Sequence, residues 1–345
     1  MAVLKKTPLI AVTMGDPAGI GPEVILKAVG MLARRPGAPN IVVVGDLDVM
    51  DRAAKGLRGS PRMRKWSSTD KPVASADGIG LLESSRLGDQ TPPPGKPNLA
   101  GGQASFDYVV QAAKMAQSGQ VDGVVTAPIS KELWNRAGHH FPGHSELLAK
   151  LSHTRTWRMM FAGGELRIAL ATVHIGLAKV PGALTRDRVF TTIRLLDDHL
   201  KSQAGYAHPR ISVLGLNPHA GENGLFGDEE IKKIAPAIAR ARREGIKVDG
   251  PLAPDTAFIR RRGSFGFDGA VVMYHDQGLI ALKTLEFDRA VNITLGLPFV
   301  RTSPDHGTAF DIAGRGVASG ASMAAAIQYA AQAAQTRKTN ARRVA

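Results

Sequence analysis

The feature that most constrains this chain is the alternation of short apolar runs with longer, partly polar segments. Three of the runs, each flanked by turn residues, are "PLIAVTM" (8–14), "NIVVVGD" (40–46) and "RISVLGL" (210–216). Runs of this length and composition are typical of buried β-strands. Segments between them carry apolar residues every three or four positions, as amphipathic helices do. Strands that alternate with helices form parallel sheets covered by helices, so the sequence predicts an α/β fold.

Local signals refine this prediction. Gly163–Gly164 separates two apolar runs and predicts a hairpin. Thr185 and Asp228 each precede a helical pattern, and we expect both to be N-caps. Residues 66–100 are polar and rich in proline toward their end, so we expect a loop there.

Composition restricts the class of protein. The 345 residues suffice for roughly two domains. The chain has no cysteine, which excludes disulfides and thiolate metal sites and is compatible with the cytoplasm, where we expect the protein to act. No apolar run approaches the ~18 residues of a membrane span, and the first residues predict a strand rather than a signal peptide. A membrane partner is therefore not expected.

The net charge of +14 is distributed along the whole chain. The cations end in a basic tail, "TRKTNARRVA", and aromatic residues make up only 5% and are not interleaved with them. We interpret the surplus as solvated surface and a frayed tail. Attraction of anionic small substrates is the next alternative, and no nucleic-acid partner is expected.

Common nucleotide-binding and hydrolase motifs are absent. The segment "GDPAGIGPE" has its glycines at Gly15, Gly19 and Gly21, a spacing that differs from the dinucleotide fingerprint G-x-G-x-x-G. The chain also has no Walker A motif, no G-x-S-x-G elbow and no H-E-x-x-H zinc motif. Any dinucleotide site must therefore be built differently.

Three histidines follow apolar, strand-like runs: His174 after "RIALATV", His219 after "ISVLGLNP" and His275 after "AVVMY". The carboxyl ends of parallel strands meet at one edge of a sheet, where open α/β folds bind ligands. Imidazole is a common ligand for zinc and similar metals, and an open catalytic site needs three protein ligands. We predict a divalent-metal site, with Asp276 beside it and Asp255 as a further oxygen ligand. The alternative is three hydrogen-bonded histidines at strand ends.

Six segments together resemble one known family. They are "TMGDPAGIGPE", "TAPISKELWNRAGHHFPGHSELLA", "TVHIGL", "LNPHAGENGLFGDEE", "YHDQGLIALK" and "VNITLGLPFVRTSPDHGTAFDIAGRG". In order and spacing they are similar to the 4-hydroxythreonine-4-phosphate dehydrogenase family of pyridoxal phosphate biosynthesis. The resemblance runs from about Pro8 to Ser319. It implies a two-domain α/β/α subunit of the isocitrate and isopropylmalate dehydrogenase type, working as a homodimer.

The resemblance also implies how the chain is divided. Two interleaved α/β domains would have the active site in the cleft between them. Residues 1–130 and 300–335 would form the nucleotide-side domain. Residues 131–299 would form the domain for metal, substrate and dimerisation.

Two cofactors are implied by the same resemblance. One divalent cation per site, zinc, magnesium or cobalt, would be bound by His174, His219 and His275, with ligands shared across the dimer. NAD or NADP would accept the hydride, because "DHGTAFDIAG" (305–314) resembles the cofactor loop of isopropylmalate dehydrogenases. The residues expected to bind the nicotinamide cofactor are His306, Gly307, Thr308, Ala309 and Asp311.

The residues that the resemblance places on the substrate are His144, Ser145, Lys283, Asn292 and Arg301. The family usually has threonine where Ser145 stands; the hydroxyl is retained, so we expect binding to be retained. An arginine fork and a lysine charge suit phosphate and carboxylate, and Ser145 begins a predicted helix whose N-terminus favours an anion. Lys283 or Asp255 is the expected general base.

The implied reaction is NAD(P)-dependent oxidation of 4-phosphohydroxy-L-threonine at its 3-hydroxyl. The 3-keto acid would lose carbon dioxide and give 3-amino-2-oxopropyl phosphate. Close alternatives are a dehydrogenase for D-threonate or D-erythronate 4-phosphate and a relative that oxidises aromatic dihydrodiols; "GHSE" and "NPHAGENGLFGDEE" favour a phosphorylated substrate. An acyltransferase similar to phosphate acetyltransferase has the same general fold but needs no metal. A non-catalytic anion-binding protein would need only the positive charge.

Overall fold

The computed structural model describes residues 7–73 and 78–344. The chain divides into two units, the first formed by Met1–Arg155 with Leu297–Lys338 and the second by Thr156–Gly296 with Thr339–Ala345. Residues 131–155, which the resemblance groups with the second domain, lie in the first unit.

Parallel strands form the centre of the first unit. They are β1 (Leu9–Thr13), β2 (Asn40–Asp46), β3 (Met63–Lys65), β4 (Ile79–Ser85), β5 (Gly123–Thr126) and β12 (Val300–Pro304). Their order is β3-β4-β2-β1-β5-β12, and every neighbouring pair is parallel. All residues of β1 and β5 are buried, because helices cover both faces of parallel sheets. This explains why these strands are continuous apolar runs in the sequence.

In the described part of the chain, the first unit contains six helices, and side chains cap the N–H groups at the start of three of them. The six helices are α1 (Gly21–Leu32), α2 (Leu47–Lys55), α3 (Leu99–Gln117), α4 (Lys131–Arg136), α5 (His144–Leu151) and the start of α11 (Ala321–Val344). Asp46, Asn98 and Ser130 accept hydrogen bonds from the third residue beyond them and cap α2, α3 and α4. A short 3₁₀ turn lies at Gly88–Gln90.

The second unit combines parallel and antiparallel strands. They are β6 (Arg158–Gly163), β7 (Leu166–Leu170), β8 (Ile211–Leu214), β9 (Val248–Leu252), β10 (Gly269–Val272) and β11 (Val291–Leu295). Their order is β11-β6-β7-β10-β8-β9. β6 is antiparallel to both β11 and β7, and the remaining pairs are parallel. The hairpin predicted at Gly163–Gly164 is confirmed, since β6 and β7 pair across it.

The helices of the second unit are α6 (Val180–Ala183), α7 (Arg186–Ser202), α8 (Ala235–Arg243), α9 (Pro254–Ala257) and α10 (His275–Glu286). A π-helical turn, Glu230–Ile234, precedes α8, and 3₁₀ turns lie at Leu177–Lys179, Pro218–Gly224 and Phe287–Arg289. Thr185 caps α7 as predicted, its side chain accepting from the backbone N–H of Arg188 at 3.1 Å.

Close packing fixes α10 on the strands beneath it. A Cβ on Gly278 would lie 2.6 Å from Cγ2 of Ile168 in β7 and 3.0 Å from Cγ2 of Val272 in β10. Only a residue without a side chain allows this approach. The first turn of α10 is thereby held against β7 and β10.

Two local predictions are wrong. Residues 66–100 contain β4, which was missed because only its first three residues are buried and its second half, "LESS", is polar and partly exposed. Asp228 does not cap its helix; its carboxylate forms an ion pair with Lys232 instead. The α/β class is confirmed. In the part of the chain that the structure describes, no helix is both long and apolar enough to cross a membrane.

Candidate active site

The three strand-end histidines leave neighbouring strands of the second unit. β10 pairs in parallel with β7 on one side and with β8 on the other. Parallel strands carry their carboxyl ends at the same edge. His174, His219 and His275 therefore lie in connections that leave one edge of these strands.

His174 and His275 lie near each other, with ring centroids 5.7 Å apart. His275 is the first residue of α10, and its Nδ1 lies 2.7 Å from Oδ1 of Asp276. A carboxylate on one ring nitrogen orients an imidazole and leaves the other nitrogen for a cation. Asp276 is therefore in a position to orient the ring of His275.

His219 stands in an unusual backbone segment. It opens a run of six residues with positive φ, from His219 to Gly224, at 51°, 53°, 85°, 44°, 58° and 100°. Its ring packs against Phe226, with centroids 6.1 Å apart. Left-handed backbone costs roughly 1–2 kcal/mol per non-glycine residue, and such strain concentrates at functional sites.

Among residues 7–73 and 78–344, no group of three or more His, Asp or Glu is arranged to hold a metal ion. The pair His174 and His275 suits a cation, while His219 is not grouped with them.

A buried carboxylate holds the segment that carries His219. Glu230 is 3% exposed, and its Oε1 accepts hydrogen bonds from the backbone N–H groups of Leu216 at 2.6 Å and Asn217 at 2.8 Å. Its Oε2 accepts from the side-chain amide of Asn217 at 2.9 Å. Sequence reasoning missed Glu230, because nothing local distinguishes it from Glu229 beside it.

Asn292 is related to the histidine pair through Phe161. It is in β11, directly opposite Phe161 of β6, and opposed residues of an antiparallel pair point to the same face. Phe161 meets the ring of His275 edge-on at 6.4 Å. The Oδ1 of Asn292 is buried and has no hydrogen-bond partner among the described residues. Burying an amide oxygen without a hydrogen bond lowers the stability of the folded protein. This oxygen is therefore well suited to accept a hydrogen bond from a ligand.

The two candidates for the general base lie in different elements. Lys283 is in α10, about two turns beyond His275. Asp255 is exposed in α9, which contacts the segment Pro218–Gly224 that carries His219. Lys283 thus shares an element with His275, and Asp255 lies in an element that contacts the segment of His219.

Another set of predicted residues meets in the first unit. His144 and Ser145 are the first two residues of α5, and Arg301 is in β12 beside β5. Arg301 is 2% exposed, and its Nη2 donates a hydrogen bond to Oγ1 of Thr126 at 2.7 Å. A helix N-terminus and a buried guanidinium both favour an anion.

The electrostatics of this set keep its imidazole neutral. Burial, followed by the positive charges of Arg301 and Lys131, holds the pKa of His144 well below its ordinary value. Burial also lowers the pKa of Arg301 to about 10, partly offset by Glu146, so the guanidinium stays charged at neutral pH. The ring of His144 meets Trp134 edge-on at 5.5 Å. Its Nε2 is buried and has no hydrogen-bond partner within the described chain, so this ring nitrogen is available to form a hydrogen bond with a ligand.

The loop expected to bind the nicotinamide cofactor packs against the connection between β1 and α1. The backbone N–H of Ile20 donates to the carbonyl of Thr308 at 2.9 Å, and a Cβ on Gly19 would lie 3.0 Å from the same oxygen. A Cβ on Gly307 would meet nothing within 4 Å. The Nδ1 of His306 lies 3.2 Å from the carbonyl of Gly307. The loop is therefore anchored at Thr308 and open at Gly307.

Glu23 anchors the far end of this loop. It is 4% exposed and accepts hydrogen bonds from the backbone N–H groups of Gly314 at 3.1 Å and Ala318 at 3.0 Å. Between these anchors, Ala309 has a positive φ of 42° and Asp311 is exposed.

A buried carboxyl in the connection after β1 was also missed by sequence reasoning. Asp16 is fully buried; its Oδ1 accepts from the backbone N–H of Ala18 at 2.9 Å, and its Oδ2 has no hydrogen-bond partner among the described residues. Burial raises the pKa of Asp16 to about 6, and the bond from Ala18 offsets part of this. Burial is a tertiary property, so the segment "GDPAGIG" alone gives no signal of it.

These features are typical of an α/β enzyme that acts on an anionic substrate. They are the strand-end histidines, the buried arginine near a helix N-terminus and the loop that is open at a glycine. The chain belongs to the family of the pyridoxal phosphate biosynthetic protein PdxA, whose family model matches residues 38–330. The family predicted from the six segments is thereby confirmed.

Relatives named as dehydrogenases match almost the whole chain. A 4-hydroxythreonine-4-phosphate dehydrogenase of Beijerinckia indica is 47% identical over 93% of this chain and 94% of its own length. A D-threonate 4-phosphate dehydrogenase of Pectobacterium atrosepticum is 45% identical over 94% and 98%. The crystal structure of 4-hydroxythreonine-4-phosphate dehydrogenase from Klebsiella pneumoniae aligns with a TM-score of 0.85 at 43% identity, covering 96% of this chain and 100% of that one.

Proposed function

We propose that this chain oxidises 4-phosphohydroxy-L-threonine at its 3-hydroxyl, with NAD or NADP as hydride acceptor. The observation that carries the proposal is the anion site of the first unit, where a buried, charged Arg301 accompanies the N-terminus of α5. Family membership supplies the dehydrogenase chemistry. The resulting 3-keto acid loses carbon dioxide and gives 3-amino-2-oxopropyl phosphate.

The phosphate is bound by Arg301, His144 and Ser145. Arg301 contributes a charged fork, which matches phosphate oxygens. His144 contributes a neutral N–H donor, since its depressed pKa keeps it unprotonated at neutral pH. Ser145 contributes a hydroxyl at the start of α5. Because Arg301 is buried, its interaction with an anion is only weakly screened by salt.

A divalent cation, zinc, magnesium or cobalt, would be held by His174, His219 and His275, with the ligands shared across a homodimer. When bound, it would supply Lewis-acid activation of the substrate. The closeness of His174 and His275 supports this assignment, and the separate position of His219 is compatible with ligands drawn from two subunits. Asn292 orients the substrate by accepting a hydrogen bond at its buried oxygen.

The base that takes the hydroxyl proton is Lys283 or Asp255. The loop 305–314 would hold the nicotinamide cofactor, which would supply the hydride acceptor. In that loop, His306, Gly307, Thr308, Ala309 and Asp311 are the binding residues. The open space around Gly307 supports close approach of a ligand to the backbone.

A spectrophotometric assay of reduced nicotinamide tests the function. The purified chain with a divalent metal should reduce NAD or NADP when 4-phosphohydroxy-L-threonine is supplied, and much more slowly with the unphosphorylated acid. Equal kcat/KM for both acids would refute the phosphate assignment. No reduction with any phosphorylated hydroxy acid would refute the dehydrogenase assignment.

D-Threonate or D-erythronate 4-phosphate is the second candidate substrate. The 45% identical relative named for D-threonate 4-phosphate supports it. Higher kcat/KM on either sugar-acid phosphate in the same assay would assign the chain to that reaction. The phosphate-binding residues would be the same.

A further inference from the structure

We propose that Gln277 is a positioning residue that holds the connections carrying His275 and His219 at a fixed separation. The inference rests on the proposed function, because it concerns histidines to which that proposal assigns the cation. Gln277 is in the first turn of α10, two residues after His275.

The side-chain amide of Gln277 joins the ends of two strands. Its Oε1 accepts a hydrogen bond from the backbone N–H of Met273 at 2.6 Å. Its Nε2 donates to the backbone carbonyl of Gly215 at 2.7 Å. Met273 follows β10 and leads into His275, while Gly215 follows β8 and leads toward His219. One side chain thus bridges the starts of two histidine-bearing connections.

The third connection is tied to the same point. Thr172, which follows β7 and precedes His174, donates from its Oγ1 to the carbonyl of Met273 at 2.7 Å, and from its backbone N–H at 3.2 Å. Thr172 is 2% exposed and Met273 is fully buried. The backbone of Met273 therefore donates its N–H to Gln277 and accepts at its carbonyl from Thr172. All three histidine-bearing connections are linked through Met273.

This role needs a primary amide. Gln277 accepts at Oε1 and donates at Nε2, and a primary amide provides this pair of neighbouring atoms at the end of one side chain. Methionine has a similar length but can form neither bond. Residues that orient metal ligands from behind typically contribute 10- to 100-fold to metal affinity. The expected effect of removing the amide is therefore on metal affinity, with the fold retained.

The test is a Co²⁺ titration of the metal-free, full-length protein, followed by absorption spectroscopy. Gln277→Met should bind Co²⁺ about 10- to 100-fold more weakly than the parent, while its far-UV circular dichroism matches the parent's. Gln203→Met, the same change at the end of α7 and away from the three connections, is the matched control and should bind like the parent. Parent-like affinity in folded Gln277→Met would overturn the inference.

Two further variants complete the design. If Gln277→Met does not fold, Gln277→Ala, which also removes the bonds to Met273 and Gly215, takes its place with the same expectation; parent-like affinity there would equally overturn the inference. His219→Ala separates this inference from the proposed function. If the parent and His219→Ala bind Co²⁺ equally, the histidine site itself is wrong; if His219→Ala loses binding but Gln277→Met does not, only the role of Gln277 is wrong.

Discussion

At the scale of single residues, the carboxyl of Asp16 makes stability depend on pH. Its pKa is raised to about 6 in the folded chain, against about 3.9 in an unfolded one. Between these values the folded state binds the proton more tightly, so its stability falls as pH rises from about 4 through 6. One pKa unit corresponds to about 1.4 kcal/mol, so the cost at neutral pH is on the order of 3 kcal/mol at most.

Asp16→Asn should therefore stabilise the protein at neutral pH. Asparagine keeps the acceptor for the N–H of Ala18 but carries no charge to bury. Thermal unfolding at pH 4.5 and at pH 7 should show the advantage of the variant growing with pH. Asp89→Asn, at an exposed position, should change Tm little at either pH. An advantage of Asp16→Asn that shrinks toward pH 7 would contradict the prediction.

Arg301 and Ser145 should differ in their contributions to phosphate binding. A hydrogen bond to a charged group is worth about 1.5–3 kcal/mol, and one between neutral groups about half of that. We expect Arg301→Ala to lower kcat/KM on the phosphorylated substrate by roughly 10- to 100-fold, and Ser145→Ala by less than that.

Steady-state kinetics on the phosphorylated and unphosphorylated acids provide the control. Loss of a phosphate contact should affect only the phosphorylated acid, whereas misfolding should affect both. Arg301→Lys keeps the charge but loses the fork, so its kcat/KM should fall between those of Arg301→Ala and the parent. An Arg301→Ala variant with equal losses on both acids would remove Arg301 from the phosphate site.

At the scale of elements, the segment Pro218–Gly224 combines strain with a buried carboxylate. Gly221 has a φ of +85°, and a Cβ there would lie 2.7 Å from Oε2 of Glu230. Gly221→Ala should therefore cost at least about 1–2 kcal/mol and disturb the carboxylate that holds Leu216 and Asn217. Urea unfolding should show a lower midpoint.

A glycine without these constraints is the matched control for Gly221→Ala. Gly182 lies in α6, and a Cβ there would meet nothing within 4 Å. Gly182→Ala should leave the urea midpoint unchanged or slightly raised, since alanine favours helices. Equal urea midpoints for Gly221→Ala and the parent would contradict the prediction, because they would mean that the segment accommodates the methyl group without a loss in the free energy of unfolding.

At the scale of the whole molecule, exposed apolar side chains of the second unit support the proposed homodimer. Large ones near the histidine-bearing elements are Leu177, Leu225, Phe226, Ile280 and Phe287. Where such side chains form a contiguous apolar patch, the patch commonly marks a protein interface.

Subunit complementation tests whether the dimer shares its ligands. His219→Ala and His275→Ala should each be inactive, because each lacks one imidazole. If His219 of one subunit completes the site formed by His174 and His275 of the other, a heterodimer of the variants contains one intact site and should show about half of the parent's activity, as two-fold symmetry requires. Purification through two different tags isolates the heterodimer. Inactive heterodimers would contradict the sharing of ligands between subunits.

The sequence by itself determined the elements and the kinds of chemistry. Apolar runs such as 40–46 became strands with the expected bounds, and Thr185 caps its helix as expected, because strand burial and helix capping depend on neighbouring residues. Histidines after strands pointed to one edge because parallel strands must align. The strand β4 was missed, because half of it is polar and its pairing with β2 comes from elsewhere in the chain.

Only the tertiary structure decided which side chains meet. It brought His174 to His275 while leaving His219 in a separate strained segment, since pairing of β7 with β10 and of β10 with β8 is non-local. It also joined Gln277 to Gly215, 62 residues away in the chain, and buried Asp16. Partners so far apart, and the burial that shifts a pKa, arise from packing, and no local pattern of residue types contains them.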